Sequence, residues 1–207
     1  MAETRLALGD GLDHLHIAPR SDAGAKLVLA HRPHRAKINL RGSGTAFAAG
    51  VASVLGGEPP GAGDIVSGGN WTICWLGPDE WLALGADSTR ADVIRELRGA
   101  LKDQHAAVVD VSDNYTTILV GGPAAADVLA GACPVDLHPR AFRHGNRVVQ
   151  SHFASVDVVL YQTPVGASVD AELGRRSFQL ILRRSFADHV WRWLMDAGQH
   201  CGVSVLA

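Results

Sequence analysis

Ten histidines, three cysteines and a few clustered aspartates are the side chains of this 207-residue sequence with chemistry to offer. The closest histidine pairs are His14-x-His16 and His31-x-x-His34. A metal centre needs three or four ligands of suitable type and spacing, and no Cys or Glu cluster completes either pair. Solvated or supporting histidines are therefore expected, and no metal in this chain. Cys74, Cys133 and Cys201 are far apart and odd in number, which argues against a disulfide framework and for a reducing compartment. Each reads as a small buried hydrophobe. No serine lies in a G-x-S-x-G elbow, and no cysteine has the setting of a thiol enzyme. Asp110-Val111-Ser112-Asp113 is the most suggestive polar group. Two carboxylates at a strand end can serve as acid and base, but Asp and Ser after a strand more often bond the amides of a turn. Gly42-Ser43-Gly44 and Gly121-Gly122-Pro123 lie between a strand and a helix, where bare amides can hold an anion. Neither completes a phosphate-binding pattern, and a tight turn asks for the same small residues. No catalytic or cofactor-binding residue is assigned.

Residues suited to binding a protein are easier to find. Sixteen of the 19 basic residues are arginine, the cation that pairs bidentately and stacks at interfaces. A GC-rich genome gives the same bias. Trp71 and Trp75 share one parity on a strand, Trp81 follows a turn, and Trp191 and Trp193 lie on the last helix. Core packing accounts for Trp71, Trp75 and Trp193. Trp191 stands off the stripe of Phe186, Val190, Trp193 and Leu194, and reads equally as core or as an exposed anchor. The interface candidates are Arg32, Arg35, Trp191 and Arg192.

The elements that must position these residues belong to one generous domain or two fused small ones, with 47% apolar residues to build a core. A net charge of -2 offers no field to hold nucleic acid or an anionic membrane surface. The opening MAETRLALGDGLDHLH has no basic stretch followed by an apolar one, and no apolar run approaches the roughly 20 residues of a membrane span. A soluble, cytoplasmic protein is expected.

Residues 1–36 mix glycine, proline and histidine without a period and read as an extended arm. Strand signals then follow at 38–41, 71–76, 80–84, 107–111, 116–120, 148–153, 156–161 and 178–182. Residues 56–69 read as a Gly/Pro loop. Helices are expected over 45–55, 89–103, 123–131 and 185–198, with Ser88 or Thr89 capping the second, Pro123 at N1 of the third and Ser185 capping the fourth. Ile38-Asn39-Leu40-Arg41-Gly42 and Ile118-Leu119-Val120-Gly121-Gly122 recur about 80 residues apart, each before an Ala-rich helix. Two strand-helix-strand-strand-helix halves, 37–104 and 105–207, make an α+β fold with helices on one side of antiparallel sheets.

Several stretches together are familiar: Lys37-Ile-Asn-Leu-Arg-Gly42, Trp75-Leu-Gly-Pro-Asp-Glu-Trp-Leu82, Asp110-Val-Ser112 before Ile118-Leu-Val-Gly-Gly122, Cys133-Pro-Val-Asp-Leu137, and Arg184-Ser-Phe-Ala-Asp-His-Val-Trp-Arg-Trp-Leu194. In this order they resemble the γ subunits of heterotetrameric sarcosine oxidases over roughly residues 37–195. The resemblance implies a fold like the folate-binding domain of glycine-cleavage aminomethyltransferases, and a non-catalytic role in assembly and stability. It also implies α, β and δ partner subunits: flavin (FAD and FMN), NAD and tetrahydrofolate sites in α and β, and zinc in δ. The complex would oxidise sarcosine to glycine and pass the one-carbon unit to tetrahydrofolate. The alternatives are the equivalent subunit of an N-methylglutamate dehydrogenase, or a free-standing folate-binding protein or aminomethyltransferase in which Asp110 or Asp113 meets the pterin.

Overall fold

Leu27–His31 form the first strand, β1, and its first four residues are buried. Leu27 and Leu29 enter one core while Val28 and Ala30 enter another, so the segment is apolar on both faces, as an interior strand must be. The computed structural model describes residues 10–142, 147–163 and 176–206. Within it, residues 10–36 are not an arm: β1 has a strand on either side, and Leu12 is 1% exposed in the same core as Leu27. The sequence reading failed here because a strand buried on both sides has no polar alternation to betray it.

Ten further strands follow among the described residues. β2 (Arg35–Arg41), β3 (Ile65–Gly68), β4 (Trp71–Gly77), β5 (Glu80–Ala86) and β6 (Ala107–Asp110) form an antiparallel sheet of order β3-β4-β5-β2-β6. β7 (Tyr115–Gly121), β8 (Val148–Phe153), β9 (Val156–Gln162), β10 (Phe178–Arg183) and β11 (Val203–Leu206) join β1 in a second sheet of order β11-β1-β7-β10-β9-β8. Among the described residues its one parallel pair is β1 with β11. Helices α1 (Thr45–Leu55) and α2 (Arg90–Ala100) cover the first sheet through Phe47, Val51, Leu55, Ile94 and Leu97. Helices α3 (Ala125–Ala130) and α4 (Ala187–Ala197) cover the second. The bare faces of the two sheets meet each other: Ile65, Cys74, Leu82 and Leu84 pack on Val148, Val159, Tyr161 and Ile181. The α+β expectation holds, with each sheet between a helix layer and its fellow sheet.

The duplication is sharper than the sequence suggested. β1 and β6 begin 80 positions apart, at 27 and 107, and β2 and β7 span 35–41 and 115–121. Each repeat thus opens with a strand that pairs in the other repeat's sheet: β1 lies beside β7, and β6 beside β2. A boundary at 36/37 separates β1 from the repeat it opens.

α1 spans the expected 45–55, and the other three helices are each slightly shorter than expected. α4 begins at Ala187 after a 3₁₀ turn at Arg184–Phe186, and neither Ser185 nor Thr89 makes a side-chain cap bond. Pro123 precedes α3, whose first residue is Ala125. Within the expected Gly/Pro loop lies β3, held by a four-residue ladder to β4.

Candidate functional site

Packing explains the two glycine loops between strand and helix. A Cβ on Gly42 would lie 2.4 Å from the Phe47 ring, and Gly122, at φ +91, would place one 2.4 Å from the Lys26 carbonyl oxygen. Both glycines are required by close approach. The Asp110–Asp113 segment is a turn. Asp110 Oδ1 accepts from the Ser112 amide (3.0 Å) and hydroxyl (2.6 Å), and Ser112 Oγ accepts from the Lys37 amide at 2.9 Å. Arg90 lies 3.6 Å from both Asp110 and Asp113, and 3.3 Å from Asp87. These carboxylates are engaged in joining α2 to the β6–β7 connection.

Two buried polar clusters were not legible in the sequence. In the first, His31 at the end of β1 meets Asp10 and Thr116. Asp10 Oδ1 is 2.8 Å from His31 Nε2 and accepts from the Thr116 hydroxyl at 2.8 Å, while His31 Nε2 and Thr116 Oγ1 are 3.0 Å apart. These three residue types suggest a nucleophile relay, but the geometry forbids one. A relay puts the hydroxyl on one imidazole nitrogen and the carboxylate on the other, whereas here both converge on Nε2. The cluster is a clamp that ties residue 10 to β1 and β7. Burial pushes the Asp10 carboxyl up, yet the bond and charge of His31, with bonds from Thr116 and the Gly11 amide, bring it down to about 2.

The second cluster lies between the sheets, on the face of β2 opposite Ile38 and Leu40. Lys37 is 1% exposed, and its Nζ donates to the Arg35 carbonyl at 3.0 Å. Burial draws its ammonium down to about 8, aided by the Arg35 charge and opposed by Asp10, Asp87 and Asp113. Beside it, Arg35 Nη1 (3.2 Å) and the Tyr161 hydroxyl (2.6 Å) both donate to Gln179 Oε1. Burial raises the Tyr161 phenol. These bonds tie β2 to β9 and β10 across the molecule, which is a structural task.

Of the four interface candidates, Arg192 fits best: it is exposed, though paired with Asp188 at 2.7 Å. Arg35 is committed to Gln179, and Arg32 is half-buried, its amide bonded to Thr117. Trp191 is 5% exposed and belongs to the core with Ala187, Val190 and Leu194, so the anchor reading is corrected. The buried stripe runs 187, 190, 191, 194, the i, i+3, i+4, i+7 series. Trp193 is only half-buried, edge-on to Phe153 at 4.9 Å, and Phe186 is 46% exposed. Among the described residues no group of three or more His, Cys, Asp or Glu side chains is placed to hold a metal. Cys74 and Cys133 are buried free thiols, and burial raises the Cys74 thiol.

Against known proteins, residues 41–200 match the profile described as "Sarcosine oxidase, gamma subunit family". The chain belongs to that family. As a member of the sarcosine oxidase gamma subunit family it is 35% identical to the subunit gamma of an Arthrobacter species over 87% of this chain and 84% of that one. It is 38% identical to the subunit gamma of Corynebacterium sp. (strain P-1), over 75% and 70%. Its fold matches a chain of the heterotetrameric sarcosine oxidase from Corynebacterium sp. U-96 with a TM-score of 0.79 and 28% identity, covering 96% of this chain and 98% of the other. It also matches half (51%) of the glycine cleavage system aminomethyltransferase T of Bartonella henselae, with a TM-score of 0.63 over 97% of this chain. At 15% identity that likeness concerns the fold alone. No helix among the described residues is long and apolar enough to cross a membrane.

Proposed function

We propose that this chain is the γ subunit of a heterotetrameric sarcosine oxidase and serves the assembly and stability of that complex. The observation that carries the reading is the end-to-end likeness to a chain of such a heterotetramer, 98% of which is covered. The geometry agrees: the two polar clusters that could have been active sites clamp strands together. The partners in this reading are α, β and δ subunits. FAD, FMN, NAD, tetrahydrofolate and zinc are held by those partners, and the chemistry of oxidising sarcosine is theirs. Co-expression with the α, β and δ chains gives one stable complex in which loss of this subunit lowers yield and thermal stability. Clean purification of the chain apart from all three, with an unaltered residual complex, overturns the proposal.

A second reading is supported by one observation, the 32% identity of 128 residues to an aminomethyltransferase of Saccharopolyspora erythraea. A folate-binding protein would take up tetrahydrofolate by itself. Titration calorimetry with tetrahydrofolate on the isolated chain separates the two: micromolar binding favours the second reading, and flat heats favour the first.

A further inference from the structure

The inner face of the second sheet is not fully covered by the first. Cross-strand register lays its side chains out in rows. Leu119, Gln179, Tyr161 and Val148 form one row, of which Tyr161 and Val148 pack under the first sheet. The next row holds Ile181 and Val159, with Gln150 beyond them. In the last row Tyr115 faces Arg183, and Asp157 faces His152. These last two rows line a groove of about 440 Å³. Its inner wall is apolar, from Val159 and Ile181, and its mouth is polar. Gln150 donates to the Leu76 carbonyl at 2.6 Å and closes one end against β4.

The charges at the mouth are unequal. His152 and Asp157 are engaged with each other at 3.0 Å, both well exposed. Arg183 is exposed, and its guanidinium has no hydrogen-bond or ion-pair partner among the described residues. A guanidinium on a sheet face next to a tyrosine, with aliphatic side chains behind, is the composition that protein interfaces favour over the general surface. Its fork of donors calls for a carboxylate.

We propose that this groove seats an extended segment of another subunit of the oxidase, one presenting an acidic side chain to Arg183 and an apolar side chain to Val159 and Ile181. The proposal rests on the subunit reading above. The carboxylate takes the guanidinium beside Tyr115, and its apolar neighbour dries the wall.

The test uses the full chain co-expressed with its partner subunits. Hydroxyl-radical footprinting should find Tyr115 and His152 less oxidised in the complex than in the free chain. R183E should weaken association about 30-fold in subunit exchange, the factor of an interface hot spot, while the free chain melts at the parent's temperature, because Arg183 holds no other residue. R183K should fall between the two. If the complex forms with Tyr115 and His152 as oxidisable as before, or R183E assembles like the parent, the groove is not an interface and the subunit reading stands. If the chain enters no complex at all, the subunit reading fails and takes the groove with it.

Discussion

Lys37 and Asp10 show how differently a buried charge behaves with and without an ionic partner. Asp10 meets His31 and Thr116 and titrates at about 2, below its ordinary 3.8. Between those values the unfolded chain binds more protons than the folded one, so stability rises with pH across that window. The clamp therefore contributes fully above about pH 4, and on the order of 2 kcal/mol is lost as pH falls toward 2. Urea titrations from pH 5 to pH 2 should show this loss in the parent and a much flatter limb in D10N. Lys37 has only a carbonyl for company, and its proton is held less tightly folded (about 8) than unfolded (10.5). The sign is the same but the window is alkaline: the cost is complete below pH 8 and relieved as pH rises to about 10.5. The K37M variant, similar in volume and without the charge, should lose the gain of roughly 2–3 kcal/mol between pH 8 and 10. If it keeps the parent's alkaline rise, another group is responsible.

At the scale of elements, the sequence was most readable where one face is polar. β2, β7 and the four helices were found because their solvent-facing or inter-sheet residues interrupt an apolar series. β1 was lost because Leu27-Val28-Leu29-Ala30 is apolar on both faces and follows an aperiodic stretch. The Asp10–His31–Thr116 clamp was invisible for a related reason: its members are 21 and 85 positions from His31 and meet only through the β1–β7 pairing. In α4 the helix was read correctly and its rotation was not, because two tryptophans two positions apart compete for one stripe. The structure decides for Trp191. Trp191→Ala should then destabilise the isolated chain by about 3–5 kcal/mol, the cost of a large core cavity. Arg192→Ala, which loses only an exposed i, i+4 pair, should stay within about 0.5 kcal/mol. Thermal melts of the two variants decide the rotation; similar melting temperatures would mean that Trp191 is not core. Removing residues 1–35 deletes β1 and the clamp, so the chain should lose its cooperative melt rather than merely an appendage.

For the molecule as a whole, the exchanged strands make two repeats into one folding unit. The sequence gives the impression of separable halves at 37–104 and 105–207, because each contains most of a sheet and two helices. The pairing says otherwise. A fragment ending at 104 has no β6, so β2, with the buried Lys37 on it, becomes a sheet edge, and any β1 it carries has no β7 to pair with. A fragment starting at 105 has β6 without β2, and its sheet lacks the β1 that joins β11 to β7. Each would also expose the inter-sheet core of Cys74, Leu82 and Leu84 against Val159, Tyr161 and Ile181. Domains of about 100 residues are only marginally stable, so losing an interior strand and a core layer together should leave neither fragment folded. Circular dichroism of 1–104 and 105–207 should show no cooperative thermal transition for either alone. Fragments cut instead between β6 and β7, at 1–112 and 113–207, carry all the strands between them. Mixed, they should associate and recover a single transition, since β6 already lies on β2 in its own fragment and β1 finds β7 and β11 in the other. If 105–207 melts cooperatively by itself, the exchange is not what holds the halves together, and the repeats are two domains after all.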